Sequence, residues 1–408
     1  MCGKSDNAPR LRFPEFRGEW EEKRFSELFS FISNNTLSRA ELSDAGEIKN
    51  IHYGDILVKY GAILSATDIG IPFVVNSKKI KKSDFLKDGD IIISDTAEDE
   101  TVGKAIEIID SKNIKLVAGL HTMACRPKLS FGLAYLGYYI NSPSFHYQLI
   151  PLMQGIKVTS ISKSNILTTF IRFPSLPEQK KIASFFTLLD RRIQKQRNLV
   201  ESLKTYKRGV SEAIFERKFG FPNKTNWKKI KIENLFSERC ERAIGNEELL
   251  AVTINGGIQK RNEIQLKDNS SEDKSNYKRV HIGDIAYNTM RMWQGASGVS
   301  CYAGIVSPAY TVIALKDKEN QCIDFWGHYF KHTNLIRTFQ KFSQGLTSDT
   351  WNLKYTQLSQ INLYVPEYKE QCAIANFLHK FDSKISIEEK KLSQLSMLKN
   401  ELLHRMFI

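Results

Sequence analysis

One stretch of the 408-residue chain places several base-reading side chains within seven residues. It runs Asn288-Thr-Met-Arg-Met-Trp-Gln-Gly-Ala and follows a short strand pattern. Arg291 has the fork geometry to pair with guanine, and Asn288 or Gln294 can pair with adenine in the same way. Trp293 and its flanking methionines supply apolar contact. The same pattern would also suit a β-loop whose Trp caps a core. Two further loops carry short polar groups beside a glycine: Lys157, Thr159, Ser160 and Ser162 after Gly155, and Thr347, Ser348 and Asp349 after Gly345. Such groups fit phosphate oxygens or base edges, or an ordinary exposed loop. Lys78, Lys79, Lys81 and Lys82 form a dense basic run. It reads as a solvated face or as a phosphate-contacting patch.

Patterns for catalysis are sparse. The sequence holds no G-x-x-x-x-G-K-[ST] phosphate loop, no G-x-G-x-x-G opening a helix after a strand, and no Asn/Asp-Pro-Pro-aromatic tetrapeptide. Asp44, Glu47 and Lys49 resemble a metal-dependent nuclease triplet, but such sites draw their groups from adjacent strands and this spacing is too tight. His328 and His332 fall four apart on an expected helix and could share a metal. No Glu follows His328 and no third ligand is evident, so helix-surface histidines are the expectation, with no catalytic and no metal site.

The charge balance selects the class of partner. Lys and Arg total 59 against 45 Asp and Glu, a formal charge of +14, and such a surplus attracts polyanions. It is uneven: +2 over 1–177, +6 over 178–218, +5 over 219–366 and +1 over 367–408. The six cysteines include no C-x-x-C pair, which fits a reduced chain. The N-terminus lacks an apolar leader and no apolar run approaches a membrane span. The expectation is a cytoplasmic protein with no membrane partner.

An internal repeat supplies the elements that must position these groups. PEQKKIASFFTLLDRRI (177–193) matches KEQCAIANFLHKFDSKI (369–385) at an offset of 192, and the register holds to Phe215/Phe407. Both copies show apolar rows at alternating spacings of four and three, a heptad seam. In the first copy the seam comprises Ile182, Phe186, Leu189, Ile193, Val200, Leu203 and Val210. In the second it comprises Ile374, Leu378, Phe381, Ile385, Leu392, Leu395 and Leu402. Both seams break at the same rungs, Gln196/Glu388 and Lys207/Lys399. A polar rung costs stability and fixes register. Matched defects predict that the two helices pair with each other; the alternative packs each helix on its own domain. About 38 residues would span roughly 57 Å. Weaker matches precede each helix: Phe-Pro, Trp (20, 227) and Leu-Phe-Ser (28–30, 235–237), then DGDIIIS against IGDIAYN, then an aromatic helix (133–149, 325–342) leading into a Gly-centred loop. The chain reads as α+β: globular 1–175, helix 176–216, globular 217–365, helix 366–408.

These features together resemble the specificity (S, HsdS) subunit of type I restriction–modification systems, over nearly the whole chain. The carriers are L-P-E-Q-K-K-I-A (176–183), K-E-Q-C-A-I-A (369–375), R-F-P-E-F-R-G-E-W (12–20), N-T-M-R-M-W-Q-G-A-S-G (288–298) and G-I-V-S-P-A-Y (304–310). The second copy has Tyr368-Lys369 where the family has Pro, which predicts a shifted helix start with unchanged register. The resemblance implies two target-recognition domains, each reading half of a bipartite duplex DNA site. It implies two long conserved helices, paired antiparallel, that set the half-site spacing. Two methyltransferase (M) subunits and the restriction/translocase (R) subunits would join this chain. S-adenosylmethionine, ATP and Mg would reside on those partners, with none here. Arg191, Arg192, Lys195 and Arg197 become candidates for docking M or facing the DNA spacer. A stand-alone nuclease or methyltransferase with a degenerate motif and a protein-binding helical adaptor are the rival readings.

Overall fold

The computed structural model describes residues 7–80, 82–155, 157–220, 225–245, 247–254, 256–264 and 273–408. It divides into two compact units, residues 1–197 with 390–408, and residues 198–389. Two helices pass through the division: the first long helix, Leu176–Phe215, and the second, Tyr368–Met406. Each unit therefore holds one globular head, the start of one long helix and the end of the other. Among the described residues no helix is long and apolar enough to cross a membrane.

In the first unit a five-stranded sheet runs in the order Phe29–Ile32, Thr122–Pro127, Ile91–Ser94, Ala105–Ile109, Ile63–Ser65. Its middle strand shows why the sheet is two-sided. Successive strand side chains point to opposite faces. Ile91 and Ile93 accordingly join the large aromatic core, while Ile92 joins a second core with Ile106 and Ile108. The second unit repeats this with four strands, Phe236–Glu238, Tyr310–Leu315, Ile285–Asn288 and Ser297–Val299. Ile285 and Tyr287 enter its aromatic core, and Ala286 faces the other side. Each head is closed by a two-stranded antiparallel pair whose second strand leads into the long helix: Glu21–Arg24 with Phe170–Phe173, and Lys228–Lys231 with Asn362–Val365.

The turn entering each middle strand is built alike. Gly89 (φ +83°) and Gly283 (φ +85°) supply the left-handed residue. The next residue, Asp90 or Asp284, is buried, and its carboxylate accepts a backbone N–H from Lys87 (2.7 Å) or His281 (2.9 Å). A guanidinium forks onto each carboxylate: Arg126 at 2.9 and 2.7 Å, Arg239 at 2.6 and 3.1 Å. Arg126 lies in strand Thr122–Pro127 and Arg239 just past strand Phe236–Glu238, so the carboxylate's need is repeated while its answer has diverged.

Neither aromatic helix is continuous. The expected helix over 133–149 is two, Tyr135–Ile140 and Pro143–Leu149, because Ser142 caps a new start with Pro143 in its first turn. The one over 325–342 is also two, Ile323–Tyr329 and Thr333–Phe342.

The ends of the long helices are core, not appendage. Phe407 stacks on Phe186 (5.7 Å) and meets Trp20, Tyr135 and Tyr139 within 6.4 Å in the first unit. Its counterpart Phe215 stacks on Tyr329 (4.8 Å) and meets Phe325 in the second. Each head is thus closed by the end of the helix that starts in the other unit.

Candidate nucleic-acid interface

The hairpin after each middle strand carries the candidate reading residues, and its root is fixed by pairing. Ile93 faces Ala105 in the first unit, as Tyr287 faces Ser297 in the second. Two residues before each return strand stands a left-handed glycine, Gly103 (φ +87°) or Gly295 (φ +81°). In the second unit Met292 is fully buried and anchors the turn, so its neighbours point outward. Arg291 is exposed and, among the described residues, makes no side-chain hydrogen bond or ion pair. Trp293 is half-buried and donates its indole N–H to the Met290 carbonyl (3.0 Å). Gln294 is half-buried, and the Asn288 carbonyl oxygen of the side chain accepts from Met290 N–H (3.0 Å).

The Gly345 loop lies against this hairpin. Leu353 N–H donates to the Thr289 carbonyl (2.9 Å), and Trp293 meets Trp351 edge-to-face at 5.1 Å. A Gln344–Asn352 bridge closes the loop, with Gly345 at φ +142°. Thr347 and Ser348 are exposed, as is Leu346 at the tip. The structure therefore sets the hairpin of Asn288, Arg291, Trp293 and Gln294 against the loop that carries Thr347 and Ser348. Trp351, which makes that contact, escaped the sequence reading.

The first unit repeats the arrangement with other chemistry. Thr96–Ala97, in its hairpin, pairs with Thr159–Ser160, and a Gln154–Ser160 bridge closes the Gly155 loop (φ +112°). Thr159 and Ser160 are thereby strand residues, with Lys157 exposed beside them. Ser162 is an N-cap: its Oγ accepts from Asn165 N–H (3.1 Å) at helix Lys163–Leu167. The hairpin tip holds exposed Glu98, Asp99 and Glu100 where the second unit has Met290, Arg291 and Trp293. Extending the DGDIIIS/IGDIAYN match to the next glycine would have found it. The basic run lies elsewhere, on the short turn Ser77–Ile80 beside the small sheet of Leu42–Ser43, Lys49–Ile51, Phe73–Val74 and Leu116–Ala118. Lys78 and Lys82 are exposed, Lys79 pairs with Glu41 (2.5 Å), and Lys81 lies outside the described residues.

The repeated Glu-Gln pair ties each head to its helix. Gln179 donates to the Pro174 carbonyl (2.8 Å) and accepts from Gly132 N–H (2.8 Å). Gln371 donates to the Pro366 carbonyl (3.0 Å) and accepts from Cys322 N–H (3.0 Å). Glu178 takes a fork from Arg12, with both contacts at 2.7 Å. Glu370 instead accepts from Thr225 and from the Trp227 indole (3.2 Å). This anchoring places Leu176 and Tyr368, the helix starts, at the same offset of 192, so the expected shift of the second start does not occur.

Within each unit the helices run antiparallel and the lysine rung is paired across them. In the first, Lys399 pairs with Asp190 (2.5 Å), which also accepts from Tyr138 Oη (2.9 Å). In the second, Lys207 pairs with Asp382, near His328 (3.8 Å). Ile182, Phe186, Ile193, Val200, Ile374, Leu378 and Ile385 are buried; Leu189, Leu203, Val210, Phe381, Leu392, Leu395 and Leu402 are half-buried. Arg191, Arg192, Lys195 and Arg197 are exposed.

The other chemical candidates are structural. Lys49 is buried and donates to the carbonyls of Ala66 (2.8 Å) and Asp68 (2.7 Å), away from exposed Glu47. His328 lies in helix Ile323–Tyr329 and His332 is the N-cap residue before Thr333–Phe342, so they share no helical face. Burial and the Lys207 charge push His328 down to about 4. His332 meets Glu212 (2.8 Å) and clusters with Glu216. Glu212 also accepts from Thr333 N–H (3.1 Å) and so caps the start of helix Thr333–Phe342, while Glu216 accepts from the Asn334 side-chain amide (3.1 Å).

The family model for the type I restriction modification DNA specificity domain matches residues 17–203 and 224–397. A chain of Methanocaldococcus jannaschii, named for the specificity subunit of the type I restriction enzyme MjaX, is 20% identical over 429 residues, covering 98% of this chain and 96% of that one. The S subunit of a type I restriction–modification system from M. genitalium shares the fold at TM-score 0.54 and 14% identity, covering 98% and 99% of the two chains. A chain from a structural study of type I system assembly and conformational transition matches at TM-score 0.56 and 14% identity, covering 95% and 97%. The chain belongs to the type I restriction modification DNA specificity family.

Proposed function

We infer that the chain reads a bipartite duplex DNA site, one half with each unit, as the non-catalytic specificity subunit of a type I restriction–modification complex. The observation that carries the bipartite reading is the repeated hairpin-plus-glycine-loop surface, equivalent in both units and different in its side chains. Phosphate contacts position such a protein and base-edge contacts specify its target. The exposed Arg291 fork, flanked by Trp293, suits base-edge reading, while the basic first long helix suits phosphate or partner contact. The paired helices set the gap between half-sites, as dimer geometry does for helix-turn-helix proteins. Two M subunits dock on the repeated scaffold, and R subunits complete the nuclease. S-adenosylmethionine, ATP and Mg sit on those partners. Adenine methylation requires a flipped base, which M performs while this chain aims the complex. Neither a stand-alone nuclease or methyltransferase nor a protein-only adaptor is favoured by family membership.

The test is single-molecule methylome sequencing of cells expressing the chain with its M subunit, followed by exchange of residues 219–362 for another head. One half-site should change and the other stay. A change in both would overturn the division of labour, and turnover by the isolated chain would overturn the non-catalytic role.

A further inference from the structure

Lys331 stands at the junction between helices Ile323–Tyr329 and Thr333–Phe342. Its ammonium donates to the carbonyls of Gly295 (2.5 Å) and Ile254 (2.9 Å). Gly295 closes the Met292–Gln294 turn, and Ile254 tops the hairpin of Leu250–Thr253 and Gly257–Lys260. Among the described residues no carboxylate pairs with Lys331. Burial pushes its amine down to about 8. A half-buried cation without a counterion gives up part of its hydration, and the two carbonyls that replace it come from two different turns. The contact is close along the stem too: a side chain added at Gly295 would meet Ile336 at 3.0 Å and the Lys331 stem at 3.9 Å. The first unit holds its hairpin by the same chemistry with the roles exchanged. There Lys104, next to the matching Gly103, donates to the Leu57 carbonyl (2.8 Å).

We propose that Lys331 is a positioning residue for sequence discrimination, holding Gly295 so that Arg291 and Trp293 face the second half-site in one orientation. The proposal rests on the reading that the Arg291 hairpin contacts DNA. Without the clamp the turn keeps its Met292 anchor but loses the fixed direction of its outward side chains, so wrong bases are rejected less well.

The experiment maps methylated sites in cells expressing the full chain and its M subunit, for wild type, Lys331→Met, Lys331→Arg and Arg291→Ala. Lys331→Met should lower discrimination at the half-site that Arg291→Ala relaxes, by roughly tenfold, the worth of a charge-assisted hydrogen bond. The other half-site should be unchanged, and Lys331→Arg should restore most of the loss. Hydrogen exchange on the complex should quicken at residues 290–296 in Lys331→Met. If Arg291→Ala relaxes a half-site and Lys331→Met does not, the proposal falls and the underlying reading stands. If Arg291→Ala relaxes neither half-site, the reading itself fails. Faster exchange throughout the head, or failure of Lys331→Met to assemble, would make the lysine a general stabiliser and overturn the proposal.

Discussion

The hairpins at 94–104 and 288–296 leave the same place in two copies of one sheet, return through a left-handed glycine and lean on a second glycine loop. Their tips are opposite in chemistry: Glu98-Asp99-Glu100 in one, Met290-Arg291-Met292-Trp293 in the other. The shared part is what a backbone must do to make the turn. The divergent part is what a ligand would meet. Acceptor-only carboxylates suit the cytosine amino group, and a guanidinium suits guanine, so equivalent scaffolds can face different bases.

The comparison can be broken first at the cores. Phe407→Ala and Phe215→Ala should each cost about 3–5 kcal/mol in the unit that the ring closes. Denaturant unfolding followed by hydrogen exchange would locate the loss. Unequal losses, or losses in the same unit, would mean that the repeat is one of sequence and not of packing. Next come the anchors. Gln179→Ala and Gln371→Ala should each cost about 1–3 kcal/mol by leaving buried backbone groups unpaired, read as a lower unfolding midpoint. Arg291→Ala should relax one base pair of the site by about 1–3 kcal/mol. A methylome map showing uniform loss across all sequences would reassign the residue to phosphate.

The smallest effect sharpens a difference. Glu107 occupies the sheet position that Val299 fills in the second unit, since both face the first residue of the middle strand. It is buried and accepts from Ala134 and Gly137 N–H, both at 2.7 Å. Burial outweighs these donors and pushes its carboxyl up to about 7 from an ordinary 4.5. The folded state then holds the proton more tightly than the unfolded chain. Stability of the first unit should fall as pH rises from about 4.5 to 7 and level off above. Glu107→Gln should flatten that slope, and the second unit should show none from this position. A pH series of unfolding midpoints would check both.

Much of this was legible in the sequence, and the reasons differ by element. The long helices announce themselves because a heptad seam repeats every turn and the copy confirms it. The α+β heads follow from Gly-Asp turns before apolar strands. The break at Ser142-Pro143 was readable as a cap, but the one before Thr333 depends on Glu212 reaching from the first long helix. The candidate surface was half legible. Arg291 and Trp293 stand in one peptide, whereas Trp351 joins them only through tertiary contact. The basic run at 78–82 reads as a solvated face or a phosphate-contacting patch, and sequence cannot show that Lys79 pairs with Glu41. Lys331 carried no signal at all, since carbonyls leave no trace in the residue type.

The ring of Phe407 in the first core has a consequence for synthesis. Trp20 and Tyr139 are among the early residues to leave the ribosome, and the side chain that closes their core comes more than 250 positions later. The first head cannot reach its final packing until residue 407 has been made, by which time the second head is already translated. Folding thus runs against the usual order in which the N-terminal domain finishes first. A ribosome stalled before residue 400 should hold a first head that is collapsed and protease-sensitive, and release of the last turn should complete it.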